Sequence, residues 1–340
     1  MALRSNATPV LYQPGKGLQL EVLESYYDPP LPETVGVLIL RLFSITMSPV
    51  MDVVIRTIPG SNIRAVLKLY DRRFGTDLRD IFDEYVPHTA ADETLFQSFV
   101  RRGEIGPFLR ELEEKKKAEL LPPRAGDLLD GTPEGRAKYE AALWQDCDEY
   151  FDCETEAYAR LKDLQGVSIP RMYAHVRLVL QNSDVPPDLL QSEMAPYFEI
   201  KGVLLEWVPG YNLRNIATSP LAPPDPEKWQ GIVQSAVDIV HDINRRGVIM
   251  SDCQPRNVIV DRRSQTPFII DLAQCYFKDK LIELWEEWGW HEDEDWDPDA
   301  EYWRLAGTHD NPGEIGAVMA NRLLRAKGMK LNINYPDLSK

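Results

Sequence analysis

The chain has 340 residues, 44% of them apolar, which is enough to bury a substantial core in one bilobal unit or in two domains. Its formal net charge of −16 argues against nucleic acid as a partner, because the phosphates would repel it. No membrane partner is expected either, because the apolar run from Val35 to Ile45 is short and broken by Arg41.

The N-terminal residues and the cysteines indicate in which cellular compartment the protein is expected. Residues 1–19 lack the apolar core of a signal peptide. The cysteines show no paired metal-ligand spacing and suit a reducing compartment. They are Cys147, Cys153, Cys253 and Cys275. We therefore expect a cytoplasmic protein.

The first predicted strands lie between Val35 and Ile58, with a turn from Ser44 to Pro49. The next strand runs from Arg64 to Tyr70 and carries Lys68 among apolar residues. A Lys in such a strand is costly to bury without an acidic partner.

Glu154 is the candidate partner of Lys68. It opens a predicted helix in which Tyr158 and Leu161 follow one and two turns later on the same side. Glu156 fits less well, because the charged Arg160 stands four residues after it.

The separation between Lys68 and Glu154 is far longer than an ordinary connection between a strand and a helix. We therefore predict a helical insertion at about residues 75–145. One charged surface helix should run from Phe108 to Lys117 and end at Pro122 and Pro123, and another should run from Pro133 to Trp144. The insertion is either a lid or partner surface, or a helical elaboration without a direct role.

A buried strand then leads into a connector. Lys201 to Glu206 is predominantly apolar, and Pro209 and Gly210 end the stretch after Trp207 and Val208.

The most informative motif follows a predicted amphipathic helix from Trp229 to Asn244 and a short strand from Val248 to Met250. Asp252 and Asn257 form an Asp-x-x-x-x-Asn loop, and a hairpin then leads to Asp271. Phosphoryl transfer can use this set directly: one carboxylate orients a hydroxyl and accepts its proton, while a carboxamide and a second carboxylate hold Mg²⁺. The alternative is a buried helix and hairpin with incidental polar residues.

After this motif, between Glu283 and Trp303, tryptophans lie among many carboxylates. The tryptophans are Trp285, Trp288, Trp290, Trp296 and Trp303. They either bind an organic cation or simply pack on the core beside an acidic solvated loop. A last amphipathic helix is predicted from Glu314 to Lys327, with the apolar residues Ile315, Val318, Met319, Leu323 and Leu324 on one side.

The order of helix, strand, loop, hairpin and metal-binding Asp resembles the protein-kinase-like superfamily, including its aminoglycoside and choline kinases. The resemblance implies a bilobal α+β fold with a helical insertion in the N-lobe. The N-lobe would span residues 1–207, and residues 208–340 would form a C-lobe with the catalytic loop and the acidic Trp-rich region.

The same resemblance implies the roles of the candidate residues. Lys68 would contact the ATP phosphates and Glu154 would orient it. The backbone of Glu206, Trp207 and Val208 would bind adenine. Asp252 would be the catalytic base, and Asn257 and Asp271 would bind Mg²⁺.

The chain departs from the pattern of protein kinases at several positions. It has no Gly-x-Gly-x-x-Gly loop, and Met250 and Ser251 stand where His-Arg is usual. Asp271 is followed by Leu and Ala rather than Phe and Gly. Asp252 to Gln254 looks more like choline kinases, although Pro255 is closer to other branches.

These departures leave two functional hypotheses. The first is an atypical kinase with ATP and Mg²⁺ as cofactors. Its acceptor would be a hydroxyl of a small molecule or protein, cationic acceptors included. The second is a catalytically weak or inactive pseudokinase that serves as a binding scaffold.

Overall fold

The computed structural model describes residues 10–43, 45–56, 62–81, 83–118, 123–180, 185–292, 295–309, 311–335 and 337. The chain is mixed α/β and forms two compact units. The first contains the chain up to Phe151 together with Met172–Leu205. The second contains Asp152–Arg171 and the chain from Glu206 onward.

The two units divide the chain at three points, and the predicted lobes, residues 1–207 and 208–340, stay a prediction. The last of these points, after Leu205, lies close to the predicted boundary after residue 207. The segment Asp152–Arg171, however, belongs with the C-terminal residues. Its hydrogen bonds explain this placement, because Ile269 N donates to Ser168 O at 2.8 Å and Leu272 N donates to Glu154 Oε1 at 3.2 Å.

Six strands of the first unit form a closed antiparallel barrel in the order β1-β2-β3-β4-β8-β7. A separate short hairpin is made by β5 and β6. The strands are β1 Gly17–Ser25, β2 Thr34–Leu42, β3 Val50–Arg56, β4 Asn62–Leu69, β5 Asp80–Ile81, β6 Glu84–Tyr85, β7 Met172–Leu178 and β8 Lys201–Glu206. Side chains alternate along them, so that Leu20, Val37, Val53, Leu67 and Val176 fill the interior.

β4 and β8 approach each other closely where β4 carries Lys68. A Cβ atom on Gly202 would lie only 2.4 Å from Lys68 O, so a side chain at this position would collide with the β4 backbone. Tyr70 N continues the contact by donating to Lys201 O at 2.9 Å. The glycine is therefore required by the close approach of the two strands.

The first four helices are α1 Ala90–Arg101, α2 Ile105–Ala118, α3 Pro133–Arg160 and α4 Pro187–Leu190. α2 confirms the charged helix predicted from Phe108 to Lys117, whereas Pro122 lies outside the described residues. The two further helices predicted from Pro133 to Trp144 and from Glu154 are one continuous helix. No Pro or Gly interrupts the chain between them, so nothing ends the first helix.

The remaining helices are α5 Glu227–Arg245, α6 Lys278–Glu287, α7 Pro298–Thr308 and α8 Asn311–Lys327. The remaining strands are β9 Gly210–Asn212, β10 Val248–Met250, β11 Val258–Asp261, β12 Pro267–Ile269 and β13 Cys275–Phe277. They form the sheets β12-β11-β9 and β10-β13. The predicted amphipathic helix, short strand and hairpin around Asp252 are thus confirmed as α5, β10 and β11–β12.

The buried side of α8 is narrower than the sequence predicts. Ile315, Met319 and Leu323 are buried at four-residue spacing, but Val318 and Leu324 are exposed. Only the first three therefore pack into the second unit. No helix in the described part of the chain has the length and apolar character needed to span a bilayer.

Candidate functional site

The loop between β10 and β11 folds back on Asp252. Asn257 Nδ2 donates to the Asp252 backbone carbonyl at 3.0 Å and to its carboxylate Oδ2 at 2.9 Å. The five-residue spacing in the sequence is therefore the spacing that lets the amide reach the carboxylate. With Nδ2 engaged in this way, the amide oxygen of Asn257 is the atom that a metal ion could use.

Asp271 lies at the same end of the β11–β12 hairpin. Val258 pairs with Ile269 in the hairpin, and Ile270 N donates to Asn257 O at 2.9 Å. Asp271 follows directly and is exposed, with a positive backbone φ of 66°. The second unit thus brings Asp252, Asn257 and Asp271 into one neighbourhood.

Glu154 joins this neighbourhood from α3. Its side chain is fully buried, and its Oε1 accepts the hydrogen bond from Leu272 N. Burial, and then the negative charges of Glu154, Asp271 and Glu206, raise the pKa of the buried Tyr158 hydroxyl well above its usual value. The charges of all three carboxylates therefore act on the same tyrosine hydroxyl.

Lys68 lies in the first unit, on β4, and is 6% exposed. Its Nζ lies 5.4 Å from the centre of the Tyr70 ring. Because Lys68 and Glu154 belong to different units, their ion pair stays a prediction.

The predicted connector residues differ in their hydrogen bonding. Glu206 ends β8 and is held by Arg171: its N–H donates to Arg171 O at 2.8 Å, and its Oε1 accepts from Arg171 Nη1 at 2.8 Å. An adenine contact at Glu206 would therefore have to use its carbonyl. Trp207 and Val208 follow in irregular, partly buried backbone, and their predicted contact with adenine stays a prediction.

The sequence did not predict the buried polar support of β10, the strand that precedes Asp252. Asn311, at the start of α8, accepts from Met250 N at 2.9 Å and donates to Met250 O at 3.0 Å. Its Oδ1 also accepts from Asn244 Nδ2 at 3.1 Å, and its carbonyl accepts from Cys253 Sγ at 3.0 Å. Asn311 lies about sixty residues from these partners in the chain, so its sequence position gave no sign that it contacts them.

Arg256 was also missed, although it lies within the motif. Its Nη2 is 2.5 Å from Asp252 Oδ1, and its side chain is 55% exposed. Both carboxylate oxygens of Asp252 therefore accept hydrogen bonds from the loop itself. Because Arg256 is exposed, it can leave without disturbing the core.

A second acidic cluster lies in the first unit. Ligand atoms of His88, Asp92 and Glu140 are within 4.8 Å of one another. Glu140 is already paired with the guanidinium groups of Arg72 and Arg79. These two positive charges oppose a cation there, so the cluster is better described as an ion-pair network.

The tryptophan-rich region divides into buried and exposed residues. Trp285 is buried, and Trp296 and Trp303 pack against the same core cluster. Trp288 and Trp290 are exposed, with ring centres 5.9 Å apart. Core packing therefore accounts for most of this region, and an organic cation would meet only the exposed pair. Asp293 and Glu294 lie outside the described residues, as does Ser44, the first residue of the predicted turn from Ser44 to Pro49.

The chain has been compared with known proteins. Two crystal structures of the PknI kinase domain of Mycobacterium tuberculosis, a single mutant and a double mutant, match it with 12% sequence identity over 89% of this chain and 79% of theirs. The TM-scores are 0.33 and 0.30, and at these values the likeness carries no argument. No family model matches the chain, and no curated protein matches it significantly.

Proposed function

We propose that this protein is an ATP-dependent phosphotransferase with a bilobal protein-kinase-like fold, which transfers a phosphoryl group to a hydroxyl of a small molecule or protein in the cytoplasm. The observation that carries the proposal is the hydrogen bonding of Asn257. Its side-chain amide donates to the Asp252 carboxylate, and its backbone carbonyl accepts a hydrogen bond from Ile270 N. This arrangement supports the proposal, because a base and a pair of metal ligands would have to lie close together for phosphoryl transfer.

Each residue has a distinct role in the proposal. Asp252 orients the acceptor hydroxyl and takes its proton after Arg256 has released Oδ1. The amide oxygen of Asn257 and the exposed carboxylate of Asp271 suit Mg²⁺, which prefers oxygen ligands. Bound Mg-ATP supplies the phosphoryl group.

The residues outside the loop complete the proposed site. Lys68 would contact the phosphates, and Glu154 would orient it while accepting from Leu272 N. The carbonyl of Glu206 and the backbone of Trp207 and Val208 would contact the adenine.

The alternative is a pseudokinase scaffold. The specific observation in its favour is the 2.5 Å contact between Arg256 and Asp252, because it occupies the carboxylate that must act as the base. The presence of Asn257 and Asp271 in the same neighbourhood favours the enzyme, since a scaffold has no evident physical need for that set.

The deciding experiment is the substitution Asp252→Asn, tested with a screen of alcohol acceptors that begins with cationic ones. Removing a general base should lower turnover about 10²–10⁴-fold, while the melting-temperature rise caused by Mg-ATP is retained. Asp271→Asn should lose the Mg²⁺-dependent part of that rise.

Asp238→Asn, an exposed change on α5, is the matched control and should alter neither quantity. If wild type shows a nucleotide-dependent shift but no turnover with any acceptor, the scaffold is favoured. If Asp252→Asn retains full turnover, the assignment of the base is wrong.

A further inference from the structure

Two cysteines meet beside the candidate site. Cys153 lies on α3 directly before Glu154, and Cys275 begins β13, shortly after Asp271. Cys275 N donates to Cys153 Sγ at 3.1 Å, and the same sulfur lies 3.4 Å from Cys275 O. The Cys153 sulfur therefore rests against the backbone of Cys275.

The two thiols also interact with each other and differ in acidity. The pKa of the Cys153 thiol is lowered, chiefly by a hydrogen bond with Cys275. Burial and the negative charges of Glu154 and Glu156 act in the opposite direction but are outweighed. The hydrogen bond with Cys153, followed by burial, raises the pKa of the Cys275 thiol well above its usual value. Cys153 is thus the better nucleophile and Cys275 the partner that resolves it.

The other two cysteines have no comparable arrangement. Cys147 and Cys253 are buried, whereas Cys153 and Cys275 are partly exposed. Burial raises the pKa of the Cys147 thiol well above its usual value. Reactivity should therefore be confined to the pair Cys153 and Cys275.

We propose that Cys153 and Cys275 form a reversible disulfide when the protein meets a peroxide. The bond would tie α3 to the segment that follows Asp271. It would join the same two segments as the hydrogen bond from Leu272 N to Glu154.

The chemistry balances with hydrogen peroxide as the oxidant. The Cys153 thiolate attacks one peroxide oxygen, the O–O bond breaks, and hydroxide leaves and takes up a proton to become water. The sulfur of Cys275 then attacks the Cys153 sulfenic acid, its S–O bond breaks, and a second water leaves with the thiol proton. Two thiols are oxidised to one disulfide, and one peroxide is reduced to two waters.

The test is peroxide treatment of the full-length protein, followed by alkylation of remaining thiols, intact-mass measurement and peptide mapping. We expect wild type to lose two of its four alkylatable thiols, to yield a Cys153–Cys275 cross-linked peptide, and to recover both thiols with dithiothreitol. Cys153→Ser and Cys275→Ser should each form no intramolecular disulfide. The control Cys147→Ala should form the same cross-link as wild type.

Peptide mapping of wild type keeps the test valid even if one variant fails to fold. The proposal is overturned if Cys153 and Cys275 both remain alkylatable, or if either is oxidised without being linked to the other. Because the readout is a cross-link, it does not depend on phosphotransferase activity. Failure of the proposed function and failure of this proposal are therefore separate results.

Discussion

Asp271 has a left-handed backbone conformation, with φ of 66°. Asp and Asn adopt this region more readily than most residues, because their short polar side chains bond locally, whereas a β-branched residue is strained there. The residue proposed to bind Mg²⁺ thus also suits the backbone conformation at the point where the chain leaves the hairpin.

This conformation predicts different stabilities for two variants. The free energy of unfolding of Asp271→Val should be about 1–2 kcal/mol lower than that of Asp271→Asn, because valine is strained at positive φ and asparagine is not. Urea unfolding of both variants checks this difference. Equal stabilities would show that the backbone is free to change its φ.

Residue identities alone led to Asp252, Asn257 and Asp271, and the structure brings these three into one neighbourhood. The sequence did not predict that Arg256 binds Asp252, although the two are four residues apart. An exposed Arg has many possible partners, and spacing alone does not choose among them.

At the scale of elements, Asn311 joins three parts of the second unit. Its side chain binds both backbone polar atoms of Met250 on β10, and it accepts from Asn244 at the end of α5. The start of α8 is therefore fixed against the strand that delivers Asp252.

Removing this amide should destabilise the protein. Asn311→Ala leaves buried polar groups of Met250 and Asn244 without their partner, and each such group costs about 1–3 kcal/mol. We expect the free energy of unfolding to fall by at least about 2 kcal/mol, measured by urea titration.

The matched control is Asn321→Ala, an exposed position on the same helix, which should change the free energy by no more than about 0.5 kcal/mol. If Asn311→Ala is as mild as the control, water or a shifted side chain replaces the lost bonds, and the network does not support the loop.

At the scale of the whole molecule, each unit carries its own buried polar network. In the first, Arg72 binds Glu93 and Glu140, and Arg79 binds Glu140. His88 joins them, with Nε2 at 3.3 Å from Glu93 and Nδ1 at 3.4 Å from Glu140. The network links α1 and α3 with the segments that follow β4 and β6.

The network predicts how stability changes with pH. Burial alone would raise the pKa of Glu93, but the Arg72 charge lowers it to about 2. Burial alone would lower the pKa of His88, but hydrogen bonds with Glu140 and Glu93 raise it. The contribution of Glu93 is present above its unfolded pKa and is lost as the pH falls through about 2. The contribution of His88 is present below its unfolded pKa and is lost as the pH rises through its higher folded pKa.

His88→Gln should therefore remove part of the fall in unfolding free energy that occurs as the pH rises above about 6.5, the ordinary pKa of histidine. Urea titrations across this range measure the slope, and the exposed His291→Gln in the second unit serves as the control. An unchanged slope in His88→Gln would mean that His88 does not gain a proton on folding.

The sequence by itself determined the local elements around the motif and the identity of the polar set. Helical periodicity, the short apolar strand and the hairpin depend on neighbouring residues, so α5, β10 and the β11–β12 pair could be predicted from them. The fixed spacing from Asp252 to Asn257 likewise depends on a short loop.

Only the tertiary structure decided which remote segments meet. It placed Asp152–Arg171 with the C-terminal residues and closed the barrel by pairing β1 with β7. It also brought Asn311 against Met250 on β10, and Cys153 against Cys275. Such contacts join residues far apart in the chain, and they follow from packing and hydrogen-bond satisfaction in three dimensions. Local propensity contains no information about them.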